Sequence, residues 1–156
     1  MIKQSIRLFV ISGSLMMMSG MVNSAWGQTK SGACMDSNLR GDYAFIVEGL
    51  VFPAPGVEVS VRGVHMTYFD GQGGITQHDH IVVGGQAPAL DWTPVVGSYH
   101  LNSDCTGTIR LDVPSTGDFV NLRFVLSGQG SRIYAVVTAP FSGPGRTVTS
   151  TGIRRD

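Results

Sequence analysis

Residues 58–83 read EVSVRGVHMTYFDGQGGITQHDHIVV, two alternating runs on either side of a glycine-rich break. Successive side chains of a strand point to opposite faces, so position parity assigns each residue to a face. In the first run Val61, Gly63, His65, Thr67 and Phe69 share one face, against Arg62, Val64, Met66 and Tyr68. In the second, Ile75, Gln77, Asp79, Ile81 and Val83 oppose Thr76, His78, His80 and Val82. The face with Phe69, Ile75, Ile81 and Val83 reads as the interior. The face with Glu58, Arg62, Thr76 and His80 suits solvent or a subunit contact. With Asp70 to Gly74 as a five-residue loop, Phe69 faces Ile75, Thr67 faces Gln77, His65 faces Asp79 and Gly63 faces Ile81. A one-residue slip would send every one of these side chains to the wrong face.

Similar runs recur outward from this hairpin, at 41–50, 94–101, 107–113, 119–127, 132–138 and 146–154. Gly, Pro, Asn, Asp and Ser clusters separate them, such as Pro53-Ala54-Pro55-Gly56 and Ser127-Gly128-Gln129-Gly130. Eight strands at this spacing predict an all-β sandwich or barrel. No stretch keeps a 3.6-residue apolar period, which predicts no long helix after the leader. In strand 41–50, Tyr43, Phe45 and Val47 share a face. The longest connection, 84–93, carries Trp92 and is read as a lid over a barrel mouth or a plug packed into it.

The 156 residues include 21 Gly, 14% charged residues and no net charge. The glycine share is about twice the usual ~7% and is read as a turn inventory, since tight hairpins need residues tolerant of positive φ. So few charges exclude a coiled coil or a charged disordered tail. The lack of basic excess excludes a nucleic-acid-binding surface.

Two segments differ in character. Lys3 and Arg7 precede an uncharged run, Leu8–Val22, and small residues follow around Ala25 and Gly27. This pattern predicts a secretory signal peptide over residues 1–27, cut after Gly27 or else after Ala25. The run is shorter than the ~20 residues of a membrane-spanning helix, so no membrane span is expected. Residues 28–40 then form an N-terminal arm and 41–156 the β-barrel domain, exported to the periplasm or the extracellular space. Without the leader, nine Lys and Arg stand against eleven Asp and Glu, a charge of −2, and Val and Thr (27) outnumber Leu, Ala, Glu and Lys (17). That balance favours strands. The two cysteines, Cys34 and Cys105, read first as a disulfide in an exported chain. A lipidated Cys34 is the competing reading, although Ser31-Gly32-Ala33-Cys34 lacks the usual Leu three residues before the cysteine.

The strings Leu39-Arg40-Gly41-Asp42-Tyr43-Ala44-Phe45, Tyr68-Phe69-Asp70-Gly71-Gln72-Gly73-Gly74, Gly97-Ser98-Tyr99 and Asn102-Ser103-Asp104-Cys105-Thr106-Gly107-Thr108 resemble small secreted bacterial proteins. Those proteins are similar to the allene-oxide-cyclase-type barrel, in the broader calycin style. The ending Thr151-Gly152-Ile153-Arg154-Arg155 also fits, and the resemblance spans about 34–156. It implies an eight-stranded antiparallel up-and-down barrel whose lumen holds a cyclase site or guides a reactive intermediate. It also implies that Cys34–Cys105 ties the arm to a hairpin tip. These motifs are turn signatures and bear on fold rather than activity.

Three constellations are candidates for chemistry. On the inner face, His65 and Asp79 form a potential acid–base pair in which the carboxylate would raise the imidazole pKa. Tyr43, Phe45, Gln77, Trp92 and Tyr99 are the accompanying ligand-binding candidates. His78 and His80, with His100 on the same parity face, are an outward-facing histidine set that would reach a metal only if inside and outside were exchanged. Val64, Met66 and Tyr68 form an outward apolar row suited to a homo-oligomer seam. No nucleophile elbow, phosphate loop or His-Glu-x-x-His motif occurs, and no cofactor is called for. The sequence therefore points to an exported barrel binding a small apolar or amphipathic molecule. A cyclase or isomerase using His65 and Asp79 is the alternative, and a structural, oligomerising module with a filled barrel is a third class.

Overall fold

The structure is a computed structural model and describes residues 33–114, 117–139 and 145–156. The leader 1–27 and its cut lie outside the described residues. Eight strands follow in chain order: β1 (Arg40–Ala54), β2 (Val57–Asp70), β3 (Gly74–Val83), β4 (Thr93–Leu101), β5 (Thr106–Val113), β6 (Asp118–Ser127), β7 (Arg132–Ala139) and β8 (Arg146–Arg154). Each pairs antiparallel with the next, and β1 closes the barrel on β8. The β2–β3 register is the one parity predicts: Phe69 opposite Ile75, Thr67 opposite Gln77, His65 opposite Asp79 and Gly63 opposite Ile81. Closure leaves no free strand edge among the described residues for another chain to extend.

β1 runs four residues beyond its predicted end, through Pro53. Proline has no N–H for a ladder, and it falls where the β1–β2 register shifts, between Val51 and Ala54. The neighbouring Phe52 N–H still pairs, donating to the Gly145 carbonyl at 2.9 Å.

The two ends of the barrel differ. One end is filled by aromatic and large aliphatic side chains, with Leu39, Tyr43, Phe69 and Ile133 wholly buried. Phe69 stands edge-on to Tyr43 at 5.3 Å and to Tyr99 at 5.2 Å. The arm seals this end. Its 3-10 turn Asp36–Asn38 lies under β4, where Asp36 Oδ1 accepts from the Leu101 N–H at 2.6 Å. Cys34 N–H donates to the Ser103 carbonyl at 3.1 Å, and the Cys34–Cys105 disulfide joins the arm to the β4–β5 hairpin.

The other end is lined by a separate cluster of Val47, Val61 and Val148, with Val51, Ile81 and Val137 against it. Shorter side chains there leave the lumen unfilled. Eight strands enclose an interior that side chains can just fill, or that can hold one small ligand. This barrel does the first at one end and the second at the other.

On the outer face Val64 is 47% and Tyr68 42% exposed, and Met66 is partly buried. Across the strands Val64 continues the row Val125, Tyr134, Thr151 and Ile46. Charged Glu48 and Arg62 face each other in the next row.

Candidate functional site

The unfilled half of the lumen is a cavity of about 300 Å³, open at the end away from the disulfide. That volume is at the lower bound for small-molecule pockets, ~300–1,000 Å³. Its wall is mostly aliphatic; its polar groups are His65, Gln77 and Asp79 on β2 and β3, with the buried Ser150 on β8. Arg146 stands at the rim, paired with Val51 near the end of β1.

The central pleat of the β2–β3 hairpin builds the polar cluster. Thr67 and Gln77 lie opposite each other and are buried, while His65 and Asp79 form the next inward pair toward the mouth. The side chains connect in sequence. His65 Nδ1 is 2.9 Å from Thr67 Oγ1, the Thr67 hydroxyl donates to Gln77 Oε1 at 2.9 Å, and Gln77 Nε2 donates to Asp79 Oδ2 at 3.3 Å. This order assigns the protons. Thr67 has one hydroxyl hydrogen and gives it to Gln77, so His65 must donate through Nδ1–H. The imidazole is then the neutral Nδ1–H tautomer, and Nε2 keeps a lone pair. No side chain among the described residues pairs with Nε2. No sealed side-chain nitrogen or oxygen is left without a partner there either, so Nε2 opens on the cavity.

The pairing of His65 with Asp79 is thus indirect, and this corrects the electrostatic expectation. Burial pushes the imidazole down to about 4 from its ordinary 6.5, and no carboxylate contact offsets it. Phe45 stacks on the same ring at 4.4 Å and 12° between planes, holding it in an apolar setting. Asp79 moves the other way. Burial raises its pKa, against the opposing effects of the Gln77 hydrogen bond and of His78 and His80.

The other ligand-binding candidates lie apart. Tyr43 is packed into the closed end, where its hydroxyl donates to the Gly130 carbonyl, and burial raises its pKa. The Tyr99 hydroxyl lies 2.9 Å from both the Asp36 and the Leu39 carbonyls, and burial pushes its pKa up to about 12. Both phenols fasten the arm and the closed end, so neither lines the cavity. Trp92 is half exposed on the outside, edge-on to His80 at 6.1 Å. His80 holds that connection: its Nδ1 is 2.6 Å from the Asp91 carbonyl. Trp92 therefore neither covers nor plugs the mouth in this structure.

His78, His80 and His100 share the outer face without converging. His78 pairs with Pro94 on β4, and His100 lies six residues further along that strand, about 20 Å away. His100 instead approaches Asp36 Oδ2 at 3.6 Å. Among the described residues no group of three His, Cys, Asp or Glu side chains is placed to hold a metal ion.

Sequence reasoning did not nominate Thr67, the central link of the chain, although its inward parity beside His65 was the available signal. Arg146 and Ser150 were also missed, although their inward parity with Val148 on β8 was the available signal. Comparison with known proteins returned no match: no family model fits the chain, and no curated protein and no solved structure is similar to it beyond chance.

Proposed function

We propose that this protein is an exported barrel that binds a small apolar or amphipathic molecule in the open half of its lumen. The observation that carries the reading is the cavity itself, a mostly aliphatic cup with a few polar groups, most of them on one wall. The leader-like residues 1–27 and the disulfide support an exported chain. The resemblance to allene-oxide-cyclase-type barrels agrees with the closed antiparallel sheet, and the chemistry of that family is not needed for the reading. Catalysis by His65 and Asp79 is the less favoured use of the same cup. The two side chains do not touch, and a neutral imidazole with a pKa near 4 is a weak base at neutral pH.

Fluorescence titration with N-phenyl-1-naphthylamine tests the reading. Saturable one-to-one binding is expected, and Val61→Phe or Val148→Phe should weaken it by filling the cup. Circular dichroism would confirm that each variant keeps its sheet. No saturable binding, or binding that both folded variants leave unchanged, would overturn the proposal.

A further inference from the structure

Resting on the binding reading above, the geometry points to a ligand of one chemical class: an organic ammonium ion on a small apolar body, with Asp79 as its counter-ion and His65 Nε2 as a second acceptor. We infer this from the hydrogen-bond polarity of the cup. The hydrogen bonds that join His65, Thr67, Gln77 and Asp79 all run toward Asp79, and of these donors only the second N–H of the Gln77 amide is left over. Apart from that one amide N–H, the groups left for a ligand on this wall are acceptors, His65 Nε2 and the second carboxylate oxygen of Asp79, and the Ser150 hydroxyl lies on the β8 side of the cavity. His65 and Asp79 are directly opposite on neighbouring strands, where Cβ atoms stand about 5 Å apart, so one donor group can reach both.

Charge selects further. Asp79 is partly buried in an aliphatic cup and makes no ion pair with Lys or Arg among the described residues. Its hydrogen-bonding partner, Gln77, is neutral. A carboxylate taken out of water without a cation is costly, and a bound ammonium would remove that cost. Arg146 does not fill the role. It lines the rim of the same cavity, but no ion pair joins it to Asp79, and it is not among the charges that act on that carboxyl. A carboxylate ligand would meet a like charge and two lone pairs at this wall. A neutral alcohol would satisfy one acceptor and leave Asp79 uncompensated. The rest of the cup is mostly aliphatic, so the body carrying the ammonium must be apolar. A hydrated metal ion does not fit, because one carboxylate and one imidazole are too few ligands.

Isothermal titration with 4-phenylbutylamine, 4-phenylbutan-1-ol and 4-phenylbutyrate at pH 7.5 separates the head groups on one hydrocarbon body. The amine is expected to bind at least about tenfold tighter than the alcohol, and the carboxylate more weakly than either. In Asp79→Asn the amine should lose its advantage while the alcohol still binds, which shows that the cup is intact. Equal binding of amine and alcohol by the unmodified protein would overturn the inference and leave the binding reading standing. An amine preference that survives in Asp79→Asn would do the same. Failure of all three to bind would overturn the inference together with the reading on which it rests.

Discussion

Glycine shows how one residue type serves two physical ends in this barrel. At Gly71 and Gly73, φ values of +80° and +102° turn the β2–β3 hairpin, the use expected from composition. Gly152 and Gly107 sit within strands for a different reason. Phe45 lies across Gly152 and Phe124 across Gly107, so a Cβ at either place would overlap an aromatic ring. The excess of glycine is therefore partly a packing device, and turn chemistry alone does not account for it. Gly152→Ala should push Phe45 off its site and cost about 1–3 kcal/mol through overpacking. Urea unfolding reads this as a lower midpoint, and an unchanged midpoint would show that the ring yields freely. Because Phe45 stacks on His65, the same substitution should also disturb the polar wall of the cup.

Among the elements, the arm is held by contacts far apart in sequence, and the 84–92 connection by a residue of the strand before it. The arm is covalently tied across 71 positions by Cys34–Cys105. In the chain-entropy model a closed loop of that length contributes on the order of 4 kcal/mol. Replacing both cysteines by Ser should lower stability by up to about that amount and keep the sheet, because Asp36 and Tyr99 still hold the arm. Chemical denaturation with circular dichroism measures both parts. Loss of the sheet itself would show that the disulfide is needed for folding rather than added to it. The 84–92 connection depends on His80, which meets the Asp91 carbonyl and the Trp92 ring. In protein lacking residues 1–27, Trp92 is the only tryptophan. His80→Ala should therefore raise iodide quenching of the indole fluorescence, and unchanged quenching would mean that other contacts seat Trp92.

At the scale of the whole molecule, the cup's titrating groups connect pH to folding. His65 has a folded pKa of about 4 against an ordinary value of 6.5. Between these values the unfolded chain binds a proton that the folded chain refuses, so stability falls as pH drops from about 6.5 to about 4. A shift of this size corresponds to about 3 kcal/mol at ~1.4 kcal/mol per pH unit. Asp79 works in the opposite sense, because its folded pKa is raised. Its buried charge costs stability above its folded pKa, and protonation relieves that cost as pH falls. Asp79→Asn should therefore steepen the acid loss between pH 6.5 and 4, and His65→Gln should flatten it. Urea midpoints across that range test both signs. Parallel curves for all three proteins would sink this account.

The fold was legible in the sequence because a strand's period of two sorts inner from outer residues locally. The β2–β3 hairpin shows it best, with five loop residues and parity enough to place His65 opposite Asp79. The break at Pro53 was less legible, because a proline can sit inside a strand where the register slips. Parity also put Tyr43, Tyr99, His65 and Asp79 on one inner face, but said nothing of height along the barrel axis. Only closure of β1 on β8, together with the arm folding under β4, made one end full and the other open. That assigned the tyrosines to the plug and His65 and Asp79 to the cup. The proton order along His65, Thr67, Gln77 and Asp79 likewise belongs to the tertiary structure, since it depends on side-chain distances across two strands. Alternation is a property of neighbouring residues and is written in the chain; depth and hydrogen-bond direction arise only when distant strands meet.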